Sequence, residues 1–184
     1  ISVLIDAEES WIQKPIDDLI EKLMIKYNKN SCIVYNTIQT YRSDRLEYLT
    51  DMHIRLLEYN VKVGIKLVRG AYMEKERERA KTNNYKSPIC ETKVETDENF
   101  NNCMNYIFNN LHDFHLFIGS HNEKSNILAT KIMRRNKLRN NDGRVWYSQL
   151  FGMSDHISFN LALNGFNVAK YLPFGPVRDV IPYL

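Results

Sequence analysis

Apolar and polar residues follow one another along this chain in blocks. Six short apolar runs, Val3–Ile5, Cys32–Ile38, Val61–Val68, Phe114–Ile118, Val145–Leu150 and Val168–Leu172, are separated by longer polar segments. Runs of this length, rich in β-branched and aromatic residues, read as buried strands. The polar segments carry helical spacing. Pro15 stands where a first helical turn starts, and Ile16, Leu19, Ile20 and Leu23 then share a face. Asp44 is placed to cap the next helix, with Leu46, Leu49, Leu56 and Leu57 as its stripe. Met73 to Asn83 and Asp97 to Leu111 read as two more helices. Asn122 to Met133 follows, with Ile127, Leu128 and Ile132 inward, and Ile157 to Asn164 is a short helix that stops near Gly165.

Strand and helix in alternation argue for a parallel sheet with helical crossovers. A dinucleotide-binding sheet places Gly-x-Gly-x-x-Gly after its first strand, and the chain has no such motif. Each strand instead exits into a polar or aromatic residue: Asp6, Gln39, Arg69, His121, Gln149 and Tyr171. A barrel gathers the C-terminal ends of its strands on one face, where such residues converge. The expected fold is therefore α/β, a (β/α)8 TIM-like barrel with some strands missing.

Composition narrows the picture. A chain of 184 residues fits one domain. Hydrophobic content of 43% and charged content of 26% are ordinary globular values. The net charge is +3 and the cations are scattered. Their densest run, Arg134-Arg135-Asn136-Lys137-Leu138-Arg139, reads as a solvated helix end and loop, so no nucleic-acid surface is expected. Cys32, Cys90 and Cys103 have no metal or disulfide spacing, which suits a reducing compartment. His112 leaves a helix and His115 enters a strand, so this pair gives no expectation of a metal site. No apolar stretch reaches the ~18 residues of a membrane span. The chain begins inside a strand pattern and stops inside a helical one, so residues 1–184 are expected to be part of a single domain truncated at both ends.

The densest chemistry is Lys66-Leu67-Val68-Arg69-Gly70-Ala71-Tyr72, where a buried strand gives way to a charged helix. Gly70 permits close approach of backbone to a ligand, and the next helix N-terminus offers amides to an anion. Arg69 has a plainer reading, an exposed ion pair with Glu74 or Glu76. This heptad resembles the signature of the proline dehydrogenase family, flavoenzymes that oxidise L-proline. The resemblance continues in order through Ile5-Asp6-Ala7-Glu8-Glu9, Gln39-Thr40-Tyr41, Ser120-His121-Asn122-Glu123, Gln149-Leu150-Phe151-Gly152-Met153-Ser154-Asp155 and Lys170-Tyr171-Leu172-Pro173-Phe174-Gly175-Pro176-Val177, and ends at Pro182-Tyr183-Leu184.

The resemblance implies a distorted barrel of which this chain holds about strands two to seven. It implies FAD as cofactor, hydride transfer from proline to flavin N5, 1-pyrroline-5-carboxylate as product and a quinone as electron acceptor. Lys66 matches a cation beside the flavin; some relatives carry Arg there, and Lys keeps the charge but not the fork of donors. Val68, Gly70 and Ala71 match residues that approach the cofactor by backbone. Gln39 and Gln149 match amides on the flavin edge, His121 and Asn122 lie against the cofactor, and Lys93 matches a contact to its adenosine and phosphate half. Asp6 and Tyr171 match the substrate pocket and, with Lys66, form the expected catalytic set; Tyr72 lines the substrate side. Asn122 also reads as a helix N-cap, and Glu8 and Glu9 as solvated helix-entry residues. The family's carboxylate-binding arginine pair follows the segment matched by Pro182-Tyr183-Leu184, and a barrel lysine precedes residue 1. The expected setting is bacterial cytoplasm with peripheral membrane association, or alternatively the mitochondrion. Two other functions fit less of the chain: a different (β/α)8 enzyme binding a phosphate-bearing ligand, and a non-catalytic truncated barrel.

Overall fold

Every apolar block becomes a strand, and every strand is parallel to the neighbours whose pairing is defined. The computed structural model describes residues 1–176 and 178. The sequence blocks ending at Val177 and at Pro182-Tyr183-Leu184 therefore run beyond the described residues. The chain divides into two compact units, residues 1–116 and 117–184. The first holds β1 (Val3–Ile5), α1 (Ser10–Tyr27), β2 (Val34–Gln39), α2 (Arg45–Leu57), β3 (Val63–Val68), α3 (Met73–Thr82), α4 (Lys93–Asn109) and the opening of β4 (Phe114–Gly119). The second holds the rest of β4, then α5 (Glu123–Arg135), β5 (Val145–Leu150), α6 (Asp155–Leu163) and β6 (Val168–Tyr171). Within each unit the strands neighbour one another in chain order. The α/β class with parallel strands and helical crossovers is thus present. Among the described residues no helix is long and apolar enough to cross a membrane.

In the first unit β2 is buried along its whole length, as a parallel strand covered on both faces must be. Yet three of its six residues, Asn36, Thr37 and Gln39, are polar, and each donates a side-chain hydrogen bond. Asn36 Nδ2 donates to Asp17 Oδ1 at 3.0 Å and Thr37 Oγ1 to the Ile5 carbonyl at 2.7 Å; Gln39 is described below. Asn36 therefore faces α1, while Thr37 and Gln39, one residue out of phase, face away from it. The core on the helix side is built from Ile20, Met24, Ile38, Leu49, Met52, Leu56, Ile65, Leu67, Phe100 and Met104. In the second unit Tyr147 is the largest fully buried side chain, with Val145, Ala129 and Ile132 also buried.

The helices start and face differently from the sequence expectation. Helix α1 begins at Ser10, so Pro15 lies inside it. The early start has a cause on α3: the buried Glu76 carboxylate accepts from Ser10 N at 2.5 Å and from Ser10 Oγ at 2.7 Å, which caps the helix from another element. The buried face of α1 is Gln13, Asp17, Ile20 and Met24, and Leu19 is exposed. Its polar end is explained by the ion pair Asp17–Arg45, 2.9 Å, between two buried side chains. Asp44 stands at the N-cap of α2 without a side-chain cap bond, because its carboxylate is held by Arg42 and Arg45. The α2 stripe is Leu49, Met52, His53 and Leu56, with Leu57 exposed. Helix α4 begins at Lys93 rather than Asp97, since Thr92 Oγ1 accepts from Glu95 N at 3.1 Å and forms the cap. In α5, Ser125, Asn126, Ala129, Ile132 and Met133 are buried and Ile127 is exposed.

Asn28, fully buried at the end of α1, sets the start of β2 and β3 together. Its Nδ2 donates to the carbonyls of Val34 (2.9 Å) and Lys62 (2.8 Å), and its Oδ1 accepts from the amides of Ile33 and Val34, both at 2.9 Å. Asn28→Ala leaves these backbone groups without a partner, at about 1–3 kcal/mol for each group that water cannot reach. The expected outcome is a loss of about 2–4 kcal/mol of stability, read as a lower urea midpoint at unchanged slope. An unaltered midpoint would show that water replaces the side chain.

Candidate functional site

In the first unit the face of β1–β3 that turns away from α1 carries the expected site residues. Strand register places Thr37 beside Lys66 and Gln39 beside Val68, and Asp6 leaves β1 next to them. Lys66 Nζ forms an ion pair with Asp6 Oδ1. The lysine side chain is 11% exposed and the aspartate 70%. An ammonium so poorly hydrated requires a counter-charge, and the pair keeps an open, anionic side. The sequence reading assigned these residues to cofactor and substrate separately; the structure brings them into contact.

Gln39 is buried, and both ends of its amide are engaged. Nε2 donates to the Glu8 carbonyl at 2.9 Å and Oε1 accepts from Ala71 N at 3.1 Å. It therefore ties the exit of β1 to the loop after β3. Val68 O accepts from Thr40 N at 2.8 Å and from Thr40 Oγ1 at 3.1 Å. Gly70 has φ +142°, and a Cβ there would meet carbons of the Tyr41 ring at 2.4–2.6 Å. The close approach that this glycine permits is to Tyr41 of the chain itself. Burial, followed by the nearby Glu76 charge, pushes the Tyr41 hydroxyl pKa up to about 12. Tyr72 donates its hydroxyl to Glu8 Oε2 at 2.8 Å, so Glu8 is a partner of the loop rather than a merely solvated residue. Glu9 meets Lys75 at 3.2 Å.

Arg69 pairs with neither Glu74 nor Glu76. Glu76 is committed to Ser10, and Arg69 reaches Asp97 of α4, with Nε–Oδ1 at 2.7 Å, while its guanidinium lies 4.5 Å over the Phe100 ring. Lys93, the first residue of α4 and largely exposed, contacts the other oxygen of Asp97 at 2.5 Å. Burial works to raise the Asp97 pKa, but hydrogen bonds from Lys93 and Arg69 hold it below the usual carboxylate range.

The second unit carries the other expected residues. The loop after β4 is tightly fixed. The Ser120 carbonyl accepts from Gln149 Nε2 (3.1 Å) and Asn126 Nδ2 (3.0 Å), and Asn122 Oδ1 caps α5 by accepting from Ser125 N at 3.1 Å. Gln149 is buried, and its Oε1 accepts from Ser158 Oγ of α6 at 2.8 Å. Register pairs Gln149 with Lys170, whose Nζ also reaches α6: Asp155 Oδ1 at 2.7 Å and Ser158 Oγ at 3.0 Å. Gln149 thus lies on the helix side of its sheet, whereas Tyr171, paired with Leu150, lies on the opposite side. Despite similar sequence settings, Gln39 and Gln149 occupy different faces relative to their covering helices.

His121 is exposed, and its Nδ1 is 2.9 Å from Ser154 Oγ. Desolvation, then repulsion by Lys170, holds its pKa below the usual histidine value. Sequence reasoning missed Ser154, Lys170, Glu8 and Asp97 as partners of the candidate residues. Only Ser154 carried a local signal, a serine before Asp155 where a helix starts after Gly152.

Comparison with known proteins gives a consistent result. A family model described as proline dehydrogenase matches residues 1–184. "Proline dehydrogenase 1, mitochondrial" of Dictyostelium discoideum is 38% identical over 191 residues, covering 100% of this chain and 33% of the relative. "Proline dehydrogenase 1, mitochondrial" of Arabidopsis thaliana is 40% identical over 189 residues, covering 100% of this chain and 38% of the relative. "Carbapenem antibiotics biosynthesis protein CarD" of Pectobacterium carotovorum subsp. carotovorum is 39% identical over 184 residues, covering 100% and 46%. The chain thus spans between a third and a half of the length of these relatives. Among solved structures, proline utilization A from Bdellovibrio bacteriovorus inactivated by N-propargylglycine superposes with a TM-score of 0.92 at 21% identity, over 99% of this chain and 19% of that one. This likeness concerns the fold.

The His121 environment yields a pH prediction. A free histidine titrates near pH 6.5; lowered in the fold, His121 binds its proton more readily when unfolded. Its contribution to stability is therefore lost as pH falls from about 6.5 through the folded value. Lys170→Met removes one of the two causes and should raise the His121 midpoint, followed by NMR titration of the ring Cε1 proton. A midpoint that does not move would leave burial as the whole cause.

Proposed function

The chain belongs to the proline dehydrogenase family, and we propose that it is part of an FAD-dependent enzyme that oxidises L-proline to 1-pyrroline-5-carboxylate. It would contribute about strands two to seven of a (β/α)8 catalytic barrel. The observation that carries the reading is the Lys66–Asp6 pair, a poorly hydrated cation with an exposed carboxylate at the strand ends. Its position within the heptad and the Asp6 block supports the family's chemistry at this place.

In the first unit the donors suit a flavin nucleotide: a fixed ammonium at Lys66 for a ring that gains negative charge, with solvent-exposed backbone at Gly70 in the same heptad; in the second unit His121 offers an exposed imidazole. FAD, when bound, supplies the two-electron acceptor, and a quinone is proposed as the onward acceptor. Lys66 holds positive charge where reduction builds negative charge. Asp6 fixes Lys66 and stands exposed toward a cationic amino acid. Gln39, by fixing the Ala71 amide, keeps Val68, Gly70 and Ala71 in one backbone conformation. Tyr72 is braced by Glu8 on the substrate side, and Tyr171 offers an aromatic face to the proline ring. His121 and Asn122 lie toward the cofactor on a loop that Gln149 supports through Ser120. Lys93 would meet the phosphate half, in competition with Asp97. We place the protein in the mitochondrion, as in the relatives so named, or in bacterial cytoplasm with peripheral membrane association. A phosphate-binding barrel of another chemistry is disfavoured because it needs Arg69 for the phosphate, and Arg69 is held by Asp97 and lies over the Phe100 ring.

Lys66→Met tests the reading. Met retains an apolar stem of similar length and removes the charge. Anaerobic mixing with proline should show flavin reduction slowed by about 10²–10³, with flavin content measured separately by absorbance. Arg69→Met should cost less, since Arg69 serves Asp97 and Phe100. Equal rates for Lys66→Met and wild type would remove Lys66 from the role assigned to it.

A further inference from the structure

We propose that Ser154 is a positioning residue that holds His121 with its ring proton on Nε2, so that the imidazole presents an N–H donor to an acceptor atom of the bound cofactor. The proposal rests on the cofactor reading above. It begins with a serine in an unusual use. Ser154 stands at the N-cap of α6 with φ 52° and ψ 40°, the left-handed region, and its side chain takes none of the helix amides. A serine at this position ordinarily accepts from one of the first helical N–H groups. Its Oγ instead lies 2.9 Å from Nδ1 of His121.

The direction of that bond follows from counting protons. Lys170, anchored by the Met153 carbonyl (2.8 Å), Asp155 and Ser158, is a fixed cation in the same unit and favours a neutral ring. A neutral imidazole has one N–H and one lone pair. If Ser154 donates to Nδ1, the hydroxyl proton and the ring lone pair are both satisfied, and the N–H falls on Nε2. In the reverse arrangement the ring donates to Oγ, and the hydroxyl proton is left to solvent. The first arrangement uses the contact fully. The backbone carrying His121 is already immobilised by the bonds to Ser120 and by the Asn122 cap. Ring orientation and tautomer are what remain to be set, and the partner of the second ring nitrogen sets them.

The test uses ¹⁵N-histidine labelling of the protein, with His121 assigned by its loss in His121→Gln. Ser154→Gly removes the hydroxyl and accepts the positive φ without strain. Wild type should show a pyridine-type Nδ1 and a pyrrole-type Nε2 at His121; Ser154→Gly should show a mixture of tautomers. Flavin affinity, by titration of the deflavinated protein, should weaken about three- to tenfold in Ser154→Gly, the size of one ordinary hydrogen bond. A proton on Nδ1 in wild type, or a tautomer that does not respond to Ser154→Gly, overturns the positioning. A tautomer that responds while flavin affinity stays constant overturns the role toward the cofactor. Wild type that binds no flavin sinks the cofactor reading and the role with it, whereas the tautomer measurement still reports whether Ser154 acts on His121.

Discussion

A cation on a buried strand cannot stand without a counter-charge, and much of the first unit is arranged around that requirement. Lys66 sits in β3 with little access to water, so the exit of β1 must deliver Asp6 to it. Delivery depends on the short β1 being held in register, which the Thr37 bond to the Ile5 carbonyl and the Gln39 bond to the Glu8 carbonyl accomplish. Gln39 then passes the constraint on to Ala71, near the end of the heptad. Charge, register and loop shape are thereby one coupled arrangement.

On the opposite face the same problem is solved with the helices. Asp17 accepts from Gln13, Asn36 and Arg45, and Arg45 also holds Asp44. The buried pair Asp17–Arg45 explains why α1 and α2 present polar residues inward. Removing one member would strand the other in the core, so such a network specifies one packing of α1 against β2 and α2 more than it adds net stability.

The strands were legible because each is an apolar run: β1 and β5 fall where the sequence places them, and the others differ by a residue or two at their ends. Helix faces were less legible. An apolar stripe is a reliable signal only when the core contact is apolar, and α1 buries Gln13 and Asp17 while exposing Leu19. Helix starts were hidden for a related reason. The cap of α1 comes from Glu76, 66 residues away, and no local pattern announces it. Of the candidate site, the sequence located Lys66, Asp6, Gln39, His121 and Asn122 at strand or helix ends. It did not reveal that Lys66 and Asp6 are partners, that Arg69 belongs to Asp97, or that Gln149 faces α6. Side-chain partners depend on register and twist, which residue identity alone does not carry.

Gly70 and Tyr41 illustrate a dependence with a direction. The Tyr41 ring occupies the space a side chain at position 70 would need, and the backbone there has φ +142°. Trimming Tyr41 opens the space but leaves the torsion, which still disfavours any residue with a Cβ. Position 41 is thus free to change before position 70, but never the reverse. In a lineage of drifting sequences, the glycine should outlast the tyrosine that packs on it.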